Sequence, residues 1–131
     1  MRFLIIDDDA DYRRVLRYHL EVEWPDATIQ EYQPSSAGSL TQAFPLADLD
    51  IVLLGYPLLH EENLSLLRTL RARPGCPPVI LFAANGDEFL AVNAMKAGAA
   101  DYFPKSRLTH LRLIGSVRAL LGRDDDASHD R

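Results

Sequence analysis

Asp7-Asp8-Asp9 follows directly on the apolar run Phe3-Leu4-Ile5-Ile6, so three carboxylates stand where buried chain ends. Adjacent carboxylates repel, and they are kept together where a hard cation or a lysine neutralises them. The plainer use is local: Asp9 or Asp11 caps a helix, and Asp7 and Asp8 are solvated loop charges. A calcium loop built on Asp7, Asp9 and Asp11 is excluded, because its sixth position is Tyr12 where glycine is needed and its twelfth is Tyr18 where glutamate is needed. Little other chemistry is on offer. Cys76 is the sole cysteine and cannot form an internal disulfide, which points to a reducing compartment, and the four histidines are too scattered for a structural zinc site. No glycine-rich turn follows the first apolar run, so dinucleotide binding has no support.

The elements that must position these acids alternate in type. Residues 2–6 read as a buried strand entering a polar loop. Tyr12, Val15, Leu16 and Leu20 then recur at helical spacing until Trp24-Pro25 ends the pattern. Residues 27–33 alternate as a second strand, and after the turn material of 34–38 a short helix is expected over 39–44. Ile51 to Leu54 form a third strand stopped by Gly55, followed by a helix over 63–73 with Leu64, Leu67 and Leu70 on one side. A fourth strand over 78–82, a helix over 87–97 stopped by Gly98, and a brief fifth strand over 101–103 cut by Pro104 come next. The last helix is expected over 107–121, with an apolar stripe of Leu108, Leu111, Ile114 or Leu113, Val117 and Leu121.

Strand and helix alternate five times, and strands that are apolar throughout must be covered on both faces. The expected fold is α/β, a doubly wound five-stranded parallel sheet with helices on both faces. In such sheets the site lies at the carboxyl ends of the strands, which here collects residues 7–9, 55–57, 83–87 and Pro104-Lys105. Residues 1–122 form the packed domain. Residues 123–131, with Asp124, Asp125, Asp126 and Asp130, are too polar to pack and read as an acidic tail or the start of a linker.

The segments FLIIDDDADYRRVL, DIVLLG and PPVILFAANGDEFLAVNAMKAGAADYFPK, with the five-fold alternation, resemble the receiver domain of two-component response regulators over residues 2–121. The flavodoxin-like (βα)5 fold is implied. In that family two acids after the first strand, matched by Asp7 and Asp8, help to hold Mg²⁺. An aspartate ending the third strand accepts a phosphoryl group, a Ser or Thr after the fourth strand follows that group, and a lysine after the fifth, matched by Lys105, pairs with it. Tyr102 matches the family's aromatic switch position.

The departures from the pattern decide the expected chemistry. Where the family has its acceptor aspartate this chain has Gly55, which carries no nucleophile, and the family's hydroxyl residue is Ala83. The proline that usually follows the lysine is Ser106. Asp50 cannot stand in, because it lies about 16 Å away at the other end of the strand, while His60, Glu61 and Glu62 sit on a loop with no strand to aim them. A metal site would keep Asp7, Asp8 and the Pro57 carbonyl but lack the acceptor carboxylate, so Mg²⁺ is expected to bind weakly or not at all. Lys105 is the expected partner of Asp7 and Asp8 instead.

The resemblance with these losses implies a non-phosphorylatable receiver-like domain, not an enzyme, acting through protein–protein contact or dimerisation, either to regulate an output domain attached in a longer chain or as a stand-alone adaptor. Receiver domains commonly pair through the fourth helix, fifth strand and fifth helix. That face would present Glu88, Asn93, Lys96, Asp101, Arg107, Arg112 and Arg118, with whichever of Phe89, Leu90 and Leu113 point outward. The rival reading is a Mg²⁺-dependent haloacid dehalogenase-type phosphohydrolase using Asp7 and Asp9. Its motif wants Thr or Val two residues beyond the second acid, where this chain has Asp11, and it needs a longer chain with a cap. The net charge of −5 opposes binding to nucleic acid or an anionic membrane, and no apolar run is long enough to span a bilayer. A cytoplasmic protein is expected.

Overall fold

A computed structural model describes residues 1–34, 45–58 and 64–129, with side chains described as far as residue 122. The short helix expected over 39–44 and the loop acids Glu61 and Glu62 with His60 lie outside the described residues. The strands are β1 (Arg2–Ile6), β2 (Thr28–Tyr32), β3 (Ile51–Tyr56), β4 (Val79–Ala83) and β5 (Asp101–Pro104). The described helices, labelled in their own order, are α1 (Ala10–Glu23), α2 (Ser65–Ala72), α3 (Glu88–Lys96) and α4 (His110–His129). The fourth and fifth helices of the sequence reading are thus α3 and α4.

The five strands form one parallel sheet in the order β2-β1-β3-β4-β5. Successive side chains of a strand point to opposite faces, and the central strands are continuously apolar over Phe3–Ile6, Ile51–Leu54 and Val79–Ala83 because both faces are covered. Phe3, Ile5, Ile51, Leu53, Ile80 and Phe82 pack with Leu16 and Leu20 of α1 and with Leu113, Ile114 and Val117 of α4. Leu4, Ile6, Val52, Leu54, Val79 and Leu81 pack with Leu67 and Leu70 of α2 and Ala94 of α3. Outside these cores, Arg13 and Arg17 of α1 both reach Glu31 of β2 and hold the helix over the sheet edge.

Several expectations are corrected at their ends. Pro104 belongs to β5, opposite Ala83; β5 is an edge strand, where a missing N–H costs no ladder bond. A 3-10 turn over Lys105–Arg107 precedes α4, which starts at His110 and runs through Gly122 to His129. The glycines with positive φ are Gly75 and Gly98, so Gly122 does not adopt the left-handed conformation that closes a helix. Two stripe residues also face the other way. Val15 of α1 and Leu111 of α4 are exposed, while the buried row of α4 is Leu113, Ile114, Val117 and Leu120.

Candidate functional site

The register of β1 and β3 pairs Ile6 with Leu54, so the next residues, Asp7 and Gly55, stand side by side at the carboxyl edge. Asp7 is 2% exposed although it is charged. Its Oδ2 accepts from Lys105 Nζ at 2.7 Å, and its Oδ1 accepts from the Asp9 N–H at 3.0 Å. The backbone of Asp7 is held as firmly: its N–H donates to the Tyr32 carbonyl, and its carbonyl accepts from Arg13 Nη1 at 2.8 Å. Lys105 reaches this point because β5 ends at Pro104 and the 3-10 turn sends the side chain back over the sheet edge. The ring of Tyr12 lies 4.5 Å from Nζ, so the ammonium has an aromatic face as well as a carboxylate.

Gly55 takes its meaning from this pair. A Cβ at residue 55 would overlap the carboxylate group of Asp7. Asp7 therefore uses the space into which any side chain at 55 would have to grow. Asp8 is half-buried beside it and is also engaged. Asp9 is the N-cap of α1, its Oδ1 accepting from the N–H groups of Asp11 and Tyr12, so it is committed to capping and the phosphohydrolase role drawn for Asp7 and Asp9 finds no support. Asp50 lies at the far end of β3, where it accepts from the Arg2 N–H.

On β4, Ala83 is fully buried and brings no donor to the edge. Tyr102 points inward, and a Cβ at Gly86 would overlap its hydroxyl, so the absence of a side chain at 86 is what admits the ring. Both the Tyr102 and the Tyr12 hydroxyls are buried without a hydrogen-bond partner among the described residues. Burial, with the charge of Asp87 adding to it, raises the pKa of Tyr102; burial, with the charge of Asp7, raises that of Tyr12. Both therefore stay protonated at neutral pH.

The donors present do not suit Mg²⁺. One Asp7 oxygen is bonded to an ammonium and the other to a backbone N–H, and residue 55 supplies no carboxylate. Among the described residues no group of three or more His, Cys, Asp or Glu side chains is placed to hold a metal ion. The structure thus brings together Asp7, Asp8, Gly55 and Lys105, with Ala83 and Tyr102 on the neighbouring strands. Sequence reasoning missed Tyr12, Arg13 and Gly86. Tyr12 was readable only as a core residue, and nothing in its spacing signals a cation above it.

The charged face expected on the fourth and fifth helices survives in part. Glu88, Asn93, Lys96, Arg107 and Arg112 are exposed, as is Phe89, but Leu113 is buried and Arg118 pairs with Glu23 of α1. Arg118 therefore faces the opposite flank of α4. Asp101 is partly buried and accepts from Ser116 Oγ at 2.6 Å.

Comparison with known proteins agrees with this geometry. The family model described as the response regulator receiver domain matches residues 3–114. The transcriptional regulatory protein FixJ of Azorhizobium caulinodans is 35% identical over 119 residues, covering 91% of this chain and 54% of that protein. The regulator GltR of Pseudomonas aeruginosa is 30% identical, covering 92% of this chain and 48% of that protein. The chain thus spans about half the length of the curated relatives it matches. Among solved structures, a receiver domain protein from Clostridium thermocellum superposes with a TM-score of 0.79 at 22% identity, covering 95% of this chain and 96% of that one. No described helix is long and apolar enough to cross a membrane. With 112 consecutive residues matched and the paired acids and lysine where the sheet edge collects them, the chain belongs to the response regulator receiver domain family.

Proposed function

We propose that this receiver domain takes no phosphoryl group at its carboxyl edge and works in two-component signalling through protein–protein contact, without catalysis of its own. The observation that carries the reading is the Asp7 carboxylate, tied to Lys105 and lying against Gly55, where a side chain at 55 would have to stand. The family's lysine is thereby satisfied from within, and neither Gly55 nor Ala83 offers a side-chain oxygen. The longer relatives, regulators of transcription, support a setting in which the packed unit of residues 1–122 leads through 123–131 into an output segment. The contact face is α3, β5 and the adjoining flank of α4. Phe89, Val92 and Met95 are exposed there in a row along α3, among Glu88, Lys96, Arg107 and Arg112. A cytoplasmic protein without nucleic-acid contacts of its own fits the net charge of −5.

Incubation with acetyl phosphate or beryllofluoride and Mg²⁺ tests the reading. The expected outcome is an intact mass without added phosphate and an amide spectrum unchanged by beryllofluoride. A phosphoryl adduct mapped to any residue of this pocket overturns it.

A further inference from the structure

Helix α1 carries an apolar row that its own domain leaves uncovered. Leu16 and Leu20 face the sheet and are buried, whereas Val15, Tyr18 and Val22 are 42%, 63% and 54% exposed. Their spacing of three and then four residues places them in one row, on the side of the helix opposite the buried pair. Leu111 of α4 is 82% exposed as well. It precedes Arg118 by two turns, and Arg118 reaches across to Glu23 of α1, so both lie on the flank of α4 that adjoins α1.

The charges beside the row are self-complementary. With Val15 and Val22 in position a of a heptad and Tyr18 in position d, Arg14 and Glu21 both occupy position g. Setting Val15 of one helix against Tyr18 of a second, antiparallel copy overlays the two helices along their whole length. In that arrangement g meets g, so each Arg14 meets the Glu21 of the other copy, twice over, about a two-fold axis. Neither residue is bound strongly at present. Arg14 pairs with Asp11 in an exposed contact at 3.3 Å, and Glu21 accepts from Arg17, whose Nε is committed to Glu31 at 2.6 Å.

We propose that the outer face of α1 is a homodimerisation surface, on which two copies of this chain pack α1 against α1 in antiparallel fashion, with Arg14–Glu21 pairs setting the register. This contact is distinct from the α3–β5 face and leaves that face free for another protein. A 14-residue helix is about 21 Å long, too short to bury the roughly 800 Å² per partner of a standard interface. The dimer is accordingly weak, with Kd on the order of 100 µM.

Sedimentation equilibrium of the full chain from 10 µM to 1 mM, at low salt, provides the test. Arg14→Glu and Glu21→Arg should each raise Kd at least tenfold, and the double variant Arg14→Glu/Glu21→Arg should return it close to the parent value. Tyr18→Glu should abolish dimerisation, whereas Arg112→Glu, on the other flank of α4, should leave it unchanged. All these side chains are exposed, and far-UV circular dichroism verifies that the variants are folded. A chain that stays monomeric to 1 mM overturns the proposal, as does a dimer that ignores the single charge reversals or is not restored by the double one.

Discussion

Two clusters tie the beginning of this chain to its end. At the carboxyl edge of the sheet, Lys105 meets Asp7 across 98 residues. In the seam between α1 and α4, His19 meets His110 across 91 residues and Arg118 meets Glu23 across 95. Span and chemistry are alike, but burial is not. The side chains of the first pair are 13% and 2% exposed, those of Arg118 and Glu23 60% and 26%. Where water cannot reach, losing one partner strands a charge. In the seam water takes the partner's place, and the pair is worth about 0–1 kcal/mol. The same kind of contact is thus structural at one site and adjustable at the other.

The largest expected effect breaks the buried tie. Lys105→Ala should cost about 3 kcal/mol, at the low end for a buried pair because Lys105 retains some solvent. Adding Asp7→Asn to it should recover much of the loss, since no charge then remains to be neutralised. Urea unfolding of the parent and both variants measures this, and a Lys105→Ala protein as stable as the parent would mean that Asp7 is hydrated after all. A smaller cost, about 1–2 kcal/mol, is expected for Gly55→Ala, whose methyl group must displace the Asp7 carboxylate from Lys105. In the Lys105→Ala background the same substitution should cost less, because Asp7 is then free to turn. That non-additivity identifies the two residues as one unit.

The buried tie was legible in the sequence and the seam was not, for a physical reason. Phe3–Ile6 of β1, Ile51–Leu54 of β3 and all of β4 are unbroken apolar runs, which only strands covered on both faces require, so the sheet and its carboxyl edge follow from the pattern and bring Asp7, Gly55, Ala83 and Lys105 together. Helix faces are set by a subtler balance. Val15 and Leu16 are adjacent apolar residues about 100° apart on α1, and only the packing of Leu16 and Leu20 against the sheet turns Val15 outward. The same holds for Leu111 against Leu113 and Ile114, and the direction taken by Arg118 depends on which side of α4 is buried. The last helix is expected to end at residue 121, just before Gly122, yet a glycine ends a helix only when the chain takes up the left-handed turn there.

The seam should respond weakly to truncation. Arg118→Ala is expected to change stability by no more than about 0.5 kcal/mol, although its guanidinium pairs with Glu23 and lies 5.7 Å from the Trp24 ring. Thermal unfolding at low and high salt measures it. A loss comparable to that of Lys105→Ala would remove the distinction between the two ties.

The smallest expected effect is one of pH, and it belongs to the seam alone. The Nδ1 atoms of His19 and His110 lie 2.9 Å apart, so one ring must donate and the other accept. Protonating the acceptor would set two N–H donors against each other and remove the hydrogen bond. Burial first, and the charge of His110 second, lower the pKa of His19 from its ordinary value of 6.5. The groups facing the pair are the Tyr18 ring beside His19, Glu23 Oε1 at 3.7 Å from His110 Nε2, and Arg118 on the other Glu23 oxygen. Unfolded chain takes up a proton at His19 near pH 6.5, whereas folded chain resists until the pH is lower. The contribution to stability is therefore complete above about pH 6.5 and is lost as the pH falls through the folded value. Urea unfolding at pH 7.5, 6.5 and 5.5 should show the parent losing stability with acid faster than His19→Gln, while Lys105→Ala keeps the parent's slope. Parallel lines for the parent and His19→Gln would show that the imidazole contact stores no such difference.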